Sequence, residues 1–292
     1  MKARFILLIF SFSAAFITLS VNLYHVQIEK GALYAAKAQA QYASGGILLP
    51  ERGIISFTDK NGNDIPAVLN KDYPIVFAVP KQIEDAQETA ARTTAVLGLS
   101  EAALVKKFSK PNDAYELLAT KLTADQVARI KEASIPGIYV DEQEFRFYPF
   151  GSFASHLLGF VGSSSGDERP RGRYGIEAFF EPQLAGVRGV VDGDRISDPV
   201  DGETIALTID RNIQARAEEI LKDAAETYEA SGGTVIVQDP KSGAILALAN
   251  VPDFNPNEYG LSAISRFLHP AVESMYEPGS VFKVIPMAAG ID

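Results

Sequence analysis

The chain has 292 residues, nearly half of them apolar, so a core can be buried and roughly two domains fit within the length. Its formal charge of −10 argues against nucleic acid as a partner, because phosphate binding needs clustered Lys and Arg. The absence of cysteine excludes disulfides, thiolate metal sites and cysteine nucleophiles, and His25, His156 and His269 lie far apart, without metal-ligand spacing.

Lys2 and Arg4 precede Phe5 to Tyr24, an uncharged and mostly apolar run of the length needed to cross a bilayer as a helix. The expected reading is an uncleaved anchor. The rival is a cleaved signal peptide. Sites of the A-x-A type occur at Ala36-Lys37-Ala38 and Ala38-Gln39-Ala40, too far beyond the apolar run for the usual cleavage geometry. Lys2, Arg4 and the amino terminus put the N-terminal side inside and the bulk outside, by a small margin because Lys30 and Lys37 follow the span. Tyr24 to Gln41, rich in Ala and Gln, reads as a continuation helix, either a plain rigid stalk or a surface that packs on a partner's membrane helix.

Leu49 to Ile65 reads as strand, turn, strand, with Asn61-Gly62 at the turn because both residues tolerate positive φ. Pro74 to Val79 is a short buried strand. From Lys81 to Ala133 the pattern is helical. One helix carries Ile83, Ala86, Ala90 and Val96, a second runs from a Ser100 cap to Phe108, and Thr123-Ala-Asp-Gln126 is a capping box that opens a third. The carboxylates of this block alternate with Lys and Arg as on a solvated face, so it offers no catalytic constellation. Gly137 to Asp141 and Glu144 to Tyr148 return to strand. Pro149 to Gly162 holds His156, which is read as closing a local structural hydrogen bond because no acid or nucleophile accompanies it. Ser163 to Arg173 is a loop, Tyr174 to Gly186 a helix, and Gly186 to Asp201 turn-rich. Thr204 to Asp210 is a strand. Arg211 to Ala230 is an amphipathic helix with Ile213, Ala217, Ile220, Leu221 and Ala224 on one side. Gly233 to Asp239 and Ala244 to Ala249 are strands joined by the turn Asp239-Pro-Lys-Ser-Gly243.

Chemistry concentrates in Glu277-Pro-Gly-Ser-Val-Phe-Lys283. Pro and Gly break what precedes, apolar residues follow, and a helix is expected to start at or next to Ser280. Ser280 and Lys283 are then i and i+3, neighbours on one face. A desolvated lysine amine can accept the serine proton, and the helix N-terminus favours an oxyanion. About one S-x-x-K is expected by chance in a chain this long, and this is the only one in the sequence. Pro286 should kink the following helix or mark its early turns.

Tyr276-Glu-Pro-Gly-Ser-Val-Phe-Lys283 resembles the nucleophile motif of penicillin-binding proteins. Further resemblances precede it in the family's order. Tyr24 to Gln41 is similar to a class B juxtamembrane segment. Glu51-Arg-Gly-Ile-Ile55 followed by Asp59-Lys-Asn-Gly62 resembles the "RGxI…DRNG" opening of the family's non-catalytic pedestal. Pro149 to Gly162 resembles "RxYPxGxxAxHxxGxxG", Tyr174 to Gly186 resembles "GxxGLExxYexxLxG", Asp239 to Ala249 resembles "DxxTGxILAMA", and Phe254-Asn-Pro-Asn257 resembles "FxPN". No glycosyltransferase-like stretch is read between anchor and pedestal, which points to the monofunctional class B.

The resemblance implies an α+β fold in three parts. Residues 1–30 are the tail and transmembrane anchor, 31–200 the pedestal with a helical insertion at about 81–135, and 201–292 the start of a transpeptidase domain of the serine beta-lactamase-like kind. It implies Ser280 as nucleophile and Lys283 as general base, no cofactor and no metal. Peptidoglycan stem peptides ending in D-Ala-D-Ala are then the substrates and beta-lactams the inhibitors, in a single-pass protein of the bacterial inner membrane. A polytopic glycan polymerase and other division or elongation proteins are the partners. Arg52 is structural, and Glu177 caps or braces a pedestal contact. Lys241-Ser242-Gly243 looks like the family's Lys-Thr/Ser-Gly motif but precedes the nucleophile, in a turn, and is rejected. The family's Ser-x-Asn and later Lys-Thr-Gly motifs are not located in the 292 residues. Two other readings stand beside this one: a non-catalytic, membrane-anchored interaction module, and a beta-lactam sensor, which lacks the expected cytoplasmic signalling portion.

Overall fold

The computed structural model describes residues 2–31, 34, 47–110, 113–163, 170–192 and 195–291. The chain divides into two compact units, Val68–Phe150 and the two flanking stretches Met1–Ala67 with Gly151–Asp292. Helix α1, Lys2–Tyr24, has 23 residues. At 1.5 Å per residue it is about 35 Å long, against about 30 Å of bilayer hydrocarbon. Ile9–Glu29 is long and apolar enough to cross a membrane, and none of it is buried in the protein. Thr18 returns its hydroxyl to the Ala14 carbonyl at 2.9 Å, which spares an apolar medium a free donor. A π-helical turn, His25–Glu29, follows. Most of the continuation expected as far as Gln41 lies outside the described residues, as do both A-x-A sites.

Strand β1 is Ile47–Leu48 and β2 is Ile55–Thr58, with Ile55 and Phe57 wholly buried. The turn after β2 is built on Asp59, whose Oδ1 accepts the backbone N–H of Asn61 and of Asn63 at 2.7 and 2.8 Å, while Gly62 takes φ +81°. The next strand, β3, spans Asp64–Ala78. The two strands expected near Ile65 and at Pro74 are thus one, passing from one unit into the other.

In the unit Val68–Phe150, β3 is followed by α2 (Ala86–Leu97), α3 (Glu101–Phe108), β4 (Glu116–Ala119), α4 (Ala124–Ala133) and β5 (Ile138–Phe147). Asp85 caps α2 by accepting from Gln87 and Glu88 N–H, and Gly98 closes it at φ +70°. The Thr123–Gln126 capping box forms. Ser100 holds the N-cap position of α3, but its side chain makes no cap hydrogen bond. β5 pairs antiparallel with β3 from Leu69↔Phe147 to Ala78↔Ile138, one strand where two were expected. β4 corrects the all-helical reading of residues 81–133: Phe77↔Leu117 pairing supplies a partner that the local pattern does not reveal. The helices cover one sheet face, where Val76, Ala78, Ala90, Leu104, Phe108, Ile130 and Ile138 form the core.

The chain then makes α5 (Ser155–Leu158), β6 (Val161–Gly162), β7 (Arg171–Gly172), α6 (Gly175–Phe179) and α7 (Glu181–Leu184). β8 (Gly189–Asp192) and β9 (Arg195–Ser197) complete a three-stranded sheet in the order β1-β8-β9, where turns alone were expected. β10, Ile205–Ala206, runs parallel to β2, and only these two residues of the expected Thr204–Asp210 strand are regular. α8, Arg211–Thr227, is capped by Asp210 and packs on the antiparallel pair β11 (Gly233–Gln238) and β12 (Ile245–Val251). Ala217, Leu221, Ala247 and Ala249 form that core, with Ile213, Val235 and Val237 against it. Ile220, expected on the apolar side of α8, is half exposed. Phe160, Phe254 and Phe267 form a second cluster, with Tyr259 stacked on Phe160 at 4.3 Å.

Candidate active site

After β12 come a short helix α9, Pro270–Glu273, then a 3₁₀ turn, Gly279–Lys283, and α10, Val284–Ile291. Ser280 therefore lies in a 3₁₀ turn, and the α-helix proper begins four residues later, at Val284. In a 3₁₀ turn, residues i and i+3 stand one above the other, so Ser280 and Lys283 still share a face. Gly279 enters the turn at φ +56°, a conformation that disfavours any side chain. Pro286 sits in the first turn of α10, where its missing N–H forfeits no intrahelical bond. Both Ser280 and Lys283 are exposed, and no side chain from Val272 to Ile291 is buried.

The other residues singled out in the sequence are not gathered at Ser280. Arg52 is clamped between two carboxylates: its Nη2 lies 2.5 Å from Glu177 Oε2 and 2.7 Å from Glu181 Oε2, and its Nε donates to Glu177 at 2.9 Å. Burial pulls the guanidinium pKa down, and the pairing with Glu177 and Glu181 more than offsets this. Glu181 also accepts the backbone N–H of Gly172 at 2.8 Å. The clamp holds the chain before β2 to the helices α6 and α7. His156, 4% exposed, lies edge-on to Phe254 at 5.3 Å, and burial followed by the nearby His269 lowers its pKa. Lys241 is in the exposed turn between β11 and β12, where its backbone N–H donates to Asp239.

Sequence reasoning passed over a buried polar network on α8. Gln214, wholly buried, donates Nε2 to the Leu248 carbonyl at 3.0 Å and accepts the Leu248 N–H at 2.7 Å, so a side-chain amide stands in for a neighbouring strand. It also donates to Glu218, which accepts the Ala154 N–H at 2.7 Å. Burial pushes the Glu218 carboxyl up, against the hydrogen bonds from Gln214 and Ala154. The available signal was Gln and Glu four apart, on a helix face that also carries Ala217 and Leu221. A groove of about 700 Å³ beside this network is lined by Ser152, His156, Glu218, Lys222, Asn250 and Asp253, among others, and includes neither Ser280 nor Lys283.

Comparisons with known proteins match two separate stretches of the chain. A model described as the penicillin-binding protein dimerisation domain matches residues 47–198, more than half of the chain. One described as the penicillin-binding protein transpeptidase domain matches residues 233–292, the stretch that carries Ser280 and Lys283. The chain belongs to the penicillin-binding proteins. Stage V sporulation protein D of Bacillus subtilis is 32% identical over 295 residues, covering 95% of this chain and 44% of that protein. Peptidoglycan D,D-transpeptidase FtsI of Escherichia coli is 28% identical over 249 residues, 80% of this chain and 41% of that one. The crystal structure of a peptidoglycan synthetase from Bifidobacterium adolescentis matches with 26% identity and a TM-score of 0.53, over 83% of this chain and 50% of that one. This chain thus spans half or less of the length of these penicillin-binding relatives. The class B resemblance and the α+β fold read from the motifs are borne out.

Proposed function

We propose that this chain supplies the anchor, the pedestal and the nucleophile of a peptidoglycan D,D-transpeptidase. The observation that carries the reading is Ser280 and Lys283 on one face of a single turn, within the segment matched to the transpeptidase domain. Lys283 takes the proton of the Ser280 hydroxyl as Oγ attacks the penultimate carbonyl of a stem peptide ending in D-Ala-D-Ala. The terminal D-Ala leaves with a proton, and an amine of a second strand then displaces Ser280 from the acyl-enzyme. A beta-lactam acylates the same oxygen by ring opening. Residues 1–30 serve as anchor, 31–200 as pedestal and 201–292 as the start of the catalytic domain. The Lys2 and Arg4 charges keep the N-terminal side in the cytoplasm of a bacterial inner membrane, with the bulk outside. A polytopic glycan polymerase and other division or elongation proteins meet the anchor and pedestal.

The deciding experiment is labelling with fluorescent penicillin in a version whose chain continues through a complete transpeptidase domain. Labelling that disappears in Ser280→Ala supports the reading, and labelling that persists overturns it. The second reading, a non-catalytic interaction module, is favoured by the exposure of Ser280 and Lys283 and the wholly unburied stretch around them. It requires that no version label while the anchor and pedestal still capture a partner.

A further inference from the structure

The segment between β12 and Ser280 is fastened to the sheet by a chain of side-chain hydrogen bonds. Thr234 Oγ1 on β11 donates to Asn250 Oδ1 on β12 at 2.7 Å, which orients the amide. Asn250 Nδ2 then faces His269 Nε2 at 3.3 Å. An amide nitrogen has only hydrogens to offer, so Nε2 is the acceptor, and the neutral imidazole carries its proton on Nδ1, which is buried. His269 holds the N-cap position of α9 without a side-chain cap bond, and its backbone N–H donates to the Glu273 carboxylate. From α5, the ring of His156 stands 6.0 Å away, nearly perpendicular.

We propose that Thr234, Asn250 and His269 form an acid-sensitive latch: protonation of His269 at Nε2 turns its N–H against the amide hydrogens of Asn250, breaks the bond and frees the segment that leads to Ser280. The surrounding groups decide the direction. Burial opposes the imidazolium at His269, and a hydrogen bond to its own backbone and then the Glu273 charge favour it without cancelling that effect. His156 is held neutral first by burial and then by His269, against the Arg266 carbonyl, Asp253 and Glu273. Glu218, Glu219, Lys222 and Glu226 line the same groove as His156. Both histidines have folded-state pKa values below the ordinary 6.5. Their contribution to stability is therefore present above about pH 6.5 and is lost as the pH falls through the folded-state values.

The test is amide hydrogen exchange of the full 292-residue chain in detergent micelles, read on peptides covering residues 264–277. Protection is expressed relative to unstructured chain at the same pH. Between pH 7.5 and 5.5 protection should fall severalfold, up to the about tenfold ceiling that an unfolded-state histidine pKa of 6.5 sets over that range. In Asn250→Asp the carboxylate accepts from a protonated Nε2, so acidification should hold or raise protection. In His269→Gln the fall should shrink to the part that His156 contributes, because a neutral amide oxygen accepts from Asn250 at either pH; this variant decides the matter if Asn250→Asp does not fold. Protection that is independent of pH in the parent, or that falls equally in a folded variant, overturns the latch. The consequence for Ser280 rests on the proposed acyl transfer, whereas the exchange measurement does not, so either idea can fail alone.

Discussion

Arg52 and Glu177 are 125 residues apart in sequence, yet the Arg52 guanidinium donates twice to one carboxylate oxygen of Glu177, at 2.5 and 2.9 Å, and Glu177 is wholly buried. Removing the guanidinium by Arg52→Ala leaves that carboxylate in the interior without its counter-charge. A buried pair broken on one side costs about 3–5 kcal/mol, which for a unit of this size lowers the unfolding midpoint by about 10 °C. Far-UV circular dichroism during heating should show this drop. Acylation per folded molecule in an extended version should stay near the parent's, because neither residue touches Ser280. A well-folded Arg52→Ala that loses only acylation would contradict the assignment.

Gly159 sits where two backbone segments cross. A Cβ there would stand 1.7 Å from the Tyr174 carbonyl oxygen, and its φ is +71°. Neither the fixed backbone nor the left-handed conformation can give way cheaply. Gly159→Ala should therefore destabilise by about 4 kcal/mol or more, whereas Gly62→Ala, with nothing within 4 Å of its added Cβ, should cost only its φ strain. Comparing folded yield and urea midpoint of the two variants checks this, and equal losses would refute it.

Glu218 sets a pH dependence opposite in sign to that of the histidines. Burial raises its folded-state pKa above the ordinary 4.5. Its favourable contribution is then fully present below about pH 4.5 and disappears as the pH rises through the folded-state value. Glu218→Gln keeps an acceptor for the Ala154 N–H and removes the charge, so at pH 7 it should match or exceed the parent in stability. Its advantage should shrink on acidification. Glu218→Ala should be destabilised at every pH, because the Ala154 N–H loses its partner. Urea unfolding at pH 4.5 and pH 7 distinguishes these outcomes, and a Gln variant markedly weaker at pH 7 would reject the account.

Lys283→Ala, in a version with a complete transpeptidase domain, should slow acylation by penicillin by about 10²–10⁴-fold, the usual worth of a positioned general base. The 292-residue chain itself should label weakly or not at all. A lysine acts as a base toward serine when it is desolvated beside it, and Lys283 stands in solvent along with its neighbours from Val272 to Ile291. Stoichiometric, Ser280-dependent labelling of the purified 292-residue chain would show that reasoning to be wrong.

What the sequence determined by itself is what local chemistry enforces. The α1 span follows from an uncharged run long enough for a bilayer. The Thr123 capping box, the Asp59–Asn63 turn and the α8 stripe follow from residues within a turn or two of each other. Ser280 and Lys283 stay on one side in a 3₁₀ turn as they would in an α-helix, because both geometries bring i and i+3 together. Only the tertiary structure decided the contacts that join distant stretches. It turned two expected strands into the single β3, drew β4 out of a helical pattern and built β8 and β9 from a turn-rich stretch, because strand identity depends on a partner that a local pattern does not contain. It gave Arg52 its two carboxylates, Gln214 its strand-like partner in Leu248, and His269 its amide donor in Asn250. A buried polar side chain takes its role from whichever group burial places against it, and in these three cases that group lies at least 19 residues away in the chain.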